Sequence, residues 1–131
     1  MSGAVNTYRP IIILAPGVLA GAEKVVLTGI TALYELGLNP LMIIIRETRI
    51  PQLANDFQKA LNPNIENIII DSKSAMDLKL PKKLKKILKN QELPIVLHTH
   101  GFKALVAGFL AKGKSIHIHT HHGNTSHTFK V

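Results

Sequence analysis

Apolar runs the length of a β-strand alternate along this chain with segments in which apolar residues recur at helical spacing. Most of the runs contain three or more consecutive apolar residues, which is typical of parallel strands buried on both faces. They predict five strands, at residues 10–15, 41–45, 65–71, 94–99 and 115–120. The segments between them predict four helices, at residues 22–36, from 51 to a stop at 62–63, at 81–90 and at 103–112.

The strict alternation of strands and helices indicates right-handed crossovers and a parallel sheet. We therefore expect one α/β domain over residues 1–131. Its fold is predicted to be an open, doubly wound, Rossmann-like sheet in the order 3-2-1-4-5, with helices on both faces. Ligands bind such sheets beyond the carboxyl ends of the strands, so the crevice is expected at strands 1 and 4.

The first predicted helix indicates how it packs on the sheet. Its inward stripe is predicted to consist of Val25, Val26, Ile30, Leu33 and Leu36. Gly29 lies in the middle of the helix, where glycine costs about 1 kcal/mol relative to alanine. A close approach of the helix to the sheet would explain that glycine. Gly37 is placed to end this helix in the left-handed conformation, and Gly113 to end the fourth helix.

Composition adds a compartment and a charge to this fold. The 131 residues include no cysteine, which fits a reducing compartment, and we expect a cytoplasmic protein. The formal net charge is +8, and six lysines fall within eleven residues that contain no acid: Lys79, Lys82, Lys83, Lys85, Lys86 and Lys89. This cluster predicts an anionic partner at one face, with a solvated surface helix as the alternative.

The turn after strand 1 carries Gly17 and Gly21, followed by Glu23. Glycines four residues apart let the backbone turn tightly and bring N–H groups close to a ligand at a helix N-terminus. The middle glycine of the dinucleotide fingerprint is missing, and strand 2 ends in Arg46 rather than in an acid that would bind a ribose. An anion site and an ordinary strand–helix turn both fit this pattern.

Histidines cluster on the last two strands. His98 and His100 alternate on strand 4 and are expected to share a face. Strand 5 and the residues after it carry a series of four histidines: His117, His119, His121 and His122. The series resembles the H-x-H-x-D-H metal motif of the metallo-β-lactamases, except that His121 replaces the aspartate. We therefore expect His117 and His119 to be packed and hydrogen-bonded, with no metal bound.

Three segments together resemble the N-terminal domain of the retaining family 4 glycosyltransferases of the GT-B fold. The turn from Gly17 to Glu23 is similar to the family's G-x-x-x-G-A-E turn. The stretch 96–104 is similar to its H-x-H-G-[FY]-[KR]-A segment, and 120–123 to its T-x-H-G segment. The resemblance covers about residues 11–123, and the order and spacing of the three segments match the family's.

The resemblance implies a transfer of sugar, with retention, from a nucleotide-sugar donor to a sugar or lipid-linked acceptor in cell-envelope or polysaccharide synthesis. Gly17 and Gly21 would close on the donor diphosphate, and His122 would contact the transferred sugar as the catalytic residue. The acceptor side would be lined by His100, Lys103 and Asn124. No metal or other cofactor is expected besides the nucleotide-sugar co-substrate.

Two further expectations follow from the resemblance. The family has a second domain that binds the nucleotide sugar, and we expect this chain to be a truncated first domain that transfers no sugar alone. Members that use lipid-linked acceptors often bind anionic membranes through basic surface of this domain. The matching residues here would be Lys82, Lys83, Lys85 and Lys86, which would place the protein at the cytoplasmic membrane face.

Two other classes of function fit parts of the sequence. The first is a basic binding module without chemistry, for a nucleic acid or a membrane surface. The aromatic residues that stack on bases are sparse and no nucleic-acid motif is present, so we expect no nucleic-acid partner. The second is a metal-dependent Rossmann-like enzyme that uses the histidine cluster, and bound stoichiometric zinc or iron would favour it.

Overall fold

The elements of the fold begin and end within two residues of the predicted bounds. A computed structural model describes residues 8–17, 21–73, 77–92 and 94–120. The strands are β1 (Arg9–Leu14), β2 (Leu41–Glu47), β3 (Glu66–Ser72), β4 (Ile95–His100) and β5 (Ile116–Thr120). The helices are α1 (Gly21–Glu35), α2 (Pro51–Ala60), α3 (Lys79–Lys89) and α4 (Phe102–Ala111). The prediction of five strands and four helices is therefore confirmed.

The five strands form one parallel sheet in the order β3-β2-β1-β4-β5, as predicted. β1 and β4 are neighbours, and the chain leaves them toward opposite halves of the sheet. The crevice of a doubly wound fold lies at this switch in strand order. The fold class is an open, Rossmann-like α/β domain.

Alternate residues of each strand pack against different helices. Ile11 and Ile13 of β1 belong to a core that includes buried side chains of α3 and α4. Ile12 and Leu14 belong to a second core, which includes buried side chains of α1 and α2. The expected helices on both faces are therefore confirmed, and each fully buried Leu or Ile contributes about 1.5–3 kcal/mol.

The predicted packing of α1 is partly wrong. Val26 and Ile30 are buried and Leu33 packs against them, but Val25 is 56% exposed and Leu36 is 69% exposed. Successive helical residues differ by about 100° in direction, so the narrow stripe through Val26 and Ile30 turns Val25 away from the core.

The glycines of the helices divide into three cases. Gly37 (φ 88°) and Gly113 (φ 57°) are left-handed and follow α1 and α4, as predicted. The close approach expected at Gly29 is wrong, since a methyl group there would lie more than 4 Å from the other described side chains and strands. The close approach is at Gly108, where the same methyl group would lie 2.6 Å from Cγ2 of Thr99.

The expectation that β5 is buried is also wrong. β5 is an edge strand, and Ile116 and Ile118 are 64% and 48% exposed. These two residues pair in register with Val96 and His98, which places them on the α1 side of the sheet. The buried side chains of α1 belong to one core with residues of β1 and β2, whereas β5 lies at the edge of the sheet beyond β4. Within the described part of the chain, no helix has the length and apolar character to cross a membrane.

Candidate ligand site at the carboxyl edge of the sheet

The ends of three adjacent strands bring together the points at which the three notable segments of the sequence begin. Leu14 at the end of β1 pairs with His100 at the end of β4, and His100 pairs with Thr120 at the end of β5. The glycine turn follows the first of these strands, and the His-Gly-Phe-Lys segment begins at the end of the second. They therefore meet at the crevice that the strand order creates.

The glycine turn at β1 is closed by a carboxylate. Glu23 in the first turn of α1 is buried (8% exposed) and accepts a hydrogen bond of 2.9 Å from the backbone N–H of Gly17. A carboxylate at a helix N-terminus is stabilised by the helix dipole. Neither Gly17 nor Gly21 has a positive φ. An anion that approached this helix would therefore meet N–H groups beside an existing negative charge.

This role of Glu23 was not predicted from the sequence. The signal was present, because an acidic side chain in the first turn of a helix is a common partner for unpaired N–H groups. Gly21 is exposed at the start of α1, and a methyl group there would touch none of the described side chains. The diphosphate-binding role of Gly17 and Gly21 stays a prediction.

His98 and His100 share one face of β4, as predicted. Their ring centroids lie 4.2 Å apart with a 33° angle between the rings. His98 Nε2 forms a hydrogen bond of 2.5 Å with the hydroxyl oxygen of Thr120, while His100 is 5% exposed. The end of β4 thus presents two adjacent imidazoles, tilted relative to each other, toward α1.

Gly101 and Lys103 follow His100 directly. Gly101 has φ 86° and ψ 160°, a conformation that is essentially restricted to glycine, and it starts α4. Lys103 donates a hydrogen bond of 3.4 Å from Nζ to Oε1 of Glu47 at the end of β2. The two side chains are 13% and 30% exposed, so the ion pair is shielded from water. Lys103 is therefore held toward β2 at this edge, and its acceptor-binding role stays a prediction.

His117 and His119 lie on the other face of the sheet. The hydroxyl of the fully buried Thr99 bonds His117 Nε2 at 2.8 Å and His119 Nδ1 at 2.9 Å. Burial lowers the pKa of His117 below its ordinary value, and the charges of His119 and Lys112 act in the same direction. The expectation that both histidines are packed and hydrogen-bonded is confirmed.

The described residues contain no cluster of three or more His, Cys, Asp or Glu side chains that could hold a metal ion. His122, the predicted catalytic residue, and Asn124, a predicted acceptor residue, lie outside the described residues, as does His121. The catalytic role of His122 and the acceptor-binding role of Asn124 stay predictions.

A charged network that was not predicted from the sequence lies at the ends of β2 and β3. Arg46 donates hydrogen bonds to both carboxylate oxygens of Asp71, at 2.6 and 3.2 Å, and one of 3.1 Å to Asn55. The hydrogen bond from Arg46 holds the pKa of Asp71 below its ordinary value, and the charges of Arg46 and Lys83 act in the same direction. Asp71 therefore keeps Arg46 beside the ends of β2 and β3.

A cavity of about 310 Å³ lies between α1 and the ends of β4 and β5. One wall is apolar and comes mainly from α1, where Gly29 leaves it open. The other wall carries His98, His100 and Thr120. Such a cavity suits a small ligand that places an apolar group against the helix and a polar group against the imidazoles.

Comparison of the chain with protein-family models, with curated proteins and with solved structures finds no match.

Proposed function

We propose that this chain is the acceptor-side domain of a retaining glycosyltransferase that uses a nucleotide-sugar donor. One observation carries the proposal: Leu14, His100 and Thr120 form a single row across β1, β4 and β5. The row places two of the family-like segments around one crevice and leads directly into the third. Segments that followed β2 or β3 would lie away from this switch in strand order.

The cavity beside His100 suits the acceptor. An acceptor hydroxyl needs a neighbouring group that accepts or donates a proton, and an imidazole does both near neutral pH. The apolar wall from α1 gives the same ligand a place for a hydrocarbon part, which favours a lipid-linked acceptor over a free sugar. Lys103 would add positive charge at this edge, oriented by Glu47.

The turn at Gly17 and Gly21 is proposed to meet the donor diphosphate. Glu23 already satisfies the N–H of Gly17, so the diphosphate would use the remaining N–H groups of the first turn of α1 beside a carboxylate. We therefore expect this domain to bind a nucleotide sugar weakly by itself. The dissociation constant should be about 1 mM or more, which corresponds to a favourable binding free energy of about 4 kcal/mol or less.

Amide NMR tests the proposed contacts. We expect UDP-glucose or GDP-mannose to shift the backbone resonances of Gly17, Gly21 and Gly101 at millimolar concentration. Gly21→Val should abolish these shifts without unfolding the protein, because position 21 is exposed and open. Gly37→Asn, at the other end of α1, is the matched control and should leave them unchanged. Shifts confined to the lysines of α3, or unaffected by Gly21→Val, would contradict the proposal.

The basic face of α3 is proposed to bind an anionic membrane at the cytoplasmic side. All six lysines of this helix are exposed, while Leu80, Leu84 and Leu88 are buried against the sheet. Co-sedimentation with vesicles tests it. We expect binding to anionic but not to neutral vesicles, with loss when Lys82, Lys83, Lys85 and Lys86 all become Gln. The double variant Lys24→Gln/Lys59→Gln, at exposed sites elsewhere, should bind normally. Equal binding by the quadruple variant would contradict it, and preference for DNA would favour the nucleic-acid alternative.

A further inference from the structure

A second and larger cavity, of about 560 Å³, lies at the amino edge of the sheet, opposite the candidate site. It is bounded by the last turns of α3 and α4 and by the first residues of β4 and β5. Its floor is apolar, with the buried side chains of Leu88, Ile95 and Ala111. The start of β5 at Ile116 borders the cavity at the open edge of the sheet. The volume falls within the range of small-molecule sites, about 300–1,000 Å³.

Four lysines surround the cavity, and no acidic residue lines it: Lys85, Lys89, Lys112 and Lys114. None of the four forms a salt bridge with an acidic side chain of the described residues. The carbonyl ends of α3 and α4 offset part of this charge, because helix C-termini carry partial negative charge. Four full charges still exceed two partial ones. The rim therefore attracts anions, and this electropositive surface lies directly beside apolar area.

We propose that this cavity binds one anionic amphiphile from solution, a phosphate or carboxylate head group on a single alkyl chain. The head group would pair with the lysines, and the chain would cover the apolar floor. A free inorganic anion would leave the floor uncovered, and an uncharged alkyl molecule would leave the lysines without a counter-charge. The concave shape suits a single molecule rather than the flat surface of a bilayer. This site is independent of the proposed sugar transfer.

Calorimetric titration with octyl phosphate below its micelle concentration tests the proposal. We expect saturable binding of one molecule per chain, with octanol and inorganic phosphate each at least about tenfold weaker, since each lacks one half of the interaction. Lys89→Gln/Lys112→Gln should weaken octyl phosphate by about fivefold. The matched control Lys82→Gln/Lys83→Gln, on exposed positions of α3 that do not line the cavity, should bind as the wild type does.

A second variant separates the apolar contribution from the charge. Leu88→Ala removes part of the apolar floor, so it should weaken octyl phosphate by about threefold and leave inorganic phosphate unchanged, in protein that still unfolds cooperatively on heating. The proposal is overturned if octyl phosphate binds no better than inorganic phosphate, or if the two lysine double variants lose affinity equally. Binding to anionic vesicles without binding of monomeric octyl phosphate also overturns it and assigns the charge to a membrane surface.

Discussion

Two glycines in the middle of helices should respond in opposite ways to the same substitution. A methyl group at Gly108 would lie 2.6 Å from Cγ2 of Thr99 and 3.3 Å from Cδ2 of Leu97. Thr99 is fully buried, and its hydroxyl is fixed by hydrogen bonds to His117 and His119. It therefore has little room to move. Gly108→Ala must displace either Thr99 or α4.

The expected magnitude is a balance of three contributions. Alanine in place of a helical glycine adds about 1 kcal/mol of stability. Overpacking a core costs about 1–3 kcal/mol. Each of the two hydrogen bonds of Thr99 contributes about 0.5–1.5 kcal/mol and is put at risk by the shift. We expect Gly108→Ala to lower the free energy of unfolding by about 1–3 kcal/mol, as the two unfavourable effects outweigh the gain.

Gly29→Ala is the matched control, since the added methyl group meets open space in the middle of α1. It should raise the free energy of unfolding by about 1 kcal/mol. Urea and thermal unfolding measure both variants, and each 1 kcal/mol corresponds to about 3–5 °C in Tm for a domain of this size. A rise in Tm for Gly108→Ala, or equal changes for the two variants, would refute the packing described for α4 on β4.

Three further predictions concern the edges of the sheet. Glu23→Ala removes the carboxylate that accepts the hydrogen bond from the Gly17 N–H, so it should lower the free energy of unfolding in urea by about 1–3 kcal/mol. Glu23→Gln should cause an intermediate loss. No loss in either variant would show that the contact does not contribute to stability. Gly101→Ala should lower the free energy of unfolding by about 1–3 kcal/mol, because alanine is strained in the backbone conformation of Gly101. Gly113→Asn should cause a clearly smaller loss, since asparagine tolerates the left-handed conformation. Equal losses would contradict the strain expected at position 101. Folding lowers the pKa of His117, so the unfolded chain binds the proton at a higher pH than the folded protein does. The contribution of His117 to stability should therefore be fully present above its ordinary pKa of 6.5. It should fall as the pH drops below that value. Thermal unfolding from pH 7.5 to 5.5 should show this fall, and His117→Gln should reduce it; an unchanged slope would assign the effect to other groups.

The architecture was predictable because uninterrupted apolar runs of strand length are typical of buried parallel strands. Residues 41–45 and 68–70 lack the polar alternation of a one-sided sheet, and they lie in β2 and β3, which are neighbouring strands. Gly37 and Gly113 ended their helices as expected, because glycine readily adopts a positive φ. Strict alternation of elements then left few topologies, and the observed order is the common one.

The packing of individual side chains was less predictable. α4 is apolar on nearly all sides, so periodicity could not show that Gly108 faces the sheet. Gly29, with the more regular apolar stripe around it, was the wrong choice. The exposure of Val25 follows from the narrowness of the buried stripe of α1, which the apolar character of neighbouring residues does not show.

The candidate site was predictable only in outline. Strand order placed the three segments at one edge, because the carboxyl ends of parallel strands share an edge. The pairs that tune the site join distant positions: Glu47 with Lys103, and Arg46 with Asp71. Each joins residues at the ends of different strands and helices, and the sequence held no signal for either pairing.

Sugar transfer by the polypeptide that carries this domain tests the central claim most directly. A panel of nucleotide sugars is incubated with extracted lipid acceptors, and release of the nucleoside diphosphate is measured. We expect at least one donor to release it only when acceptor is present. The product should retain the donor's anomeric configuration. His100→Ala should lower kcat/KM by about tenfold or more, the equivalent of at least one lost hydrogen bond, while the exposed control Lys59→Gln should not change it. Absence of transfer from every donor, or transfer unaffected by His100→Ala, would contradict the proposed function.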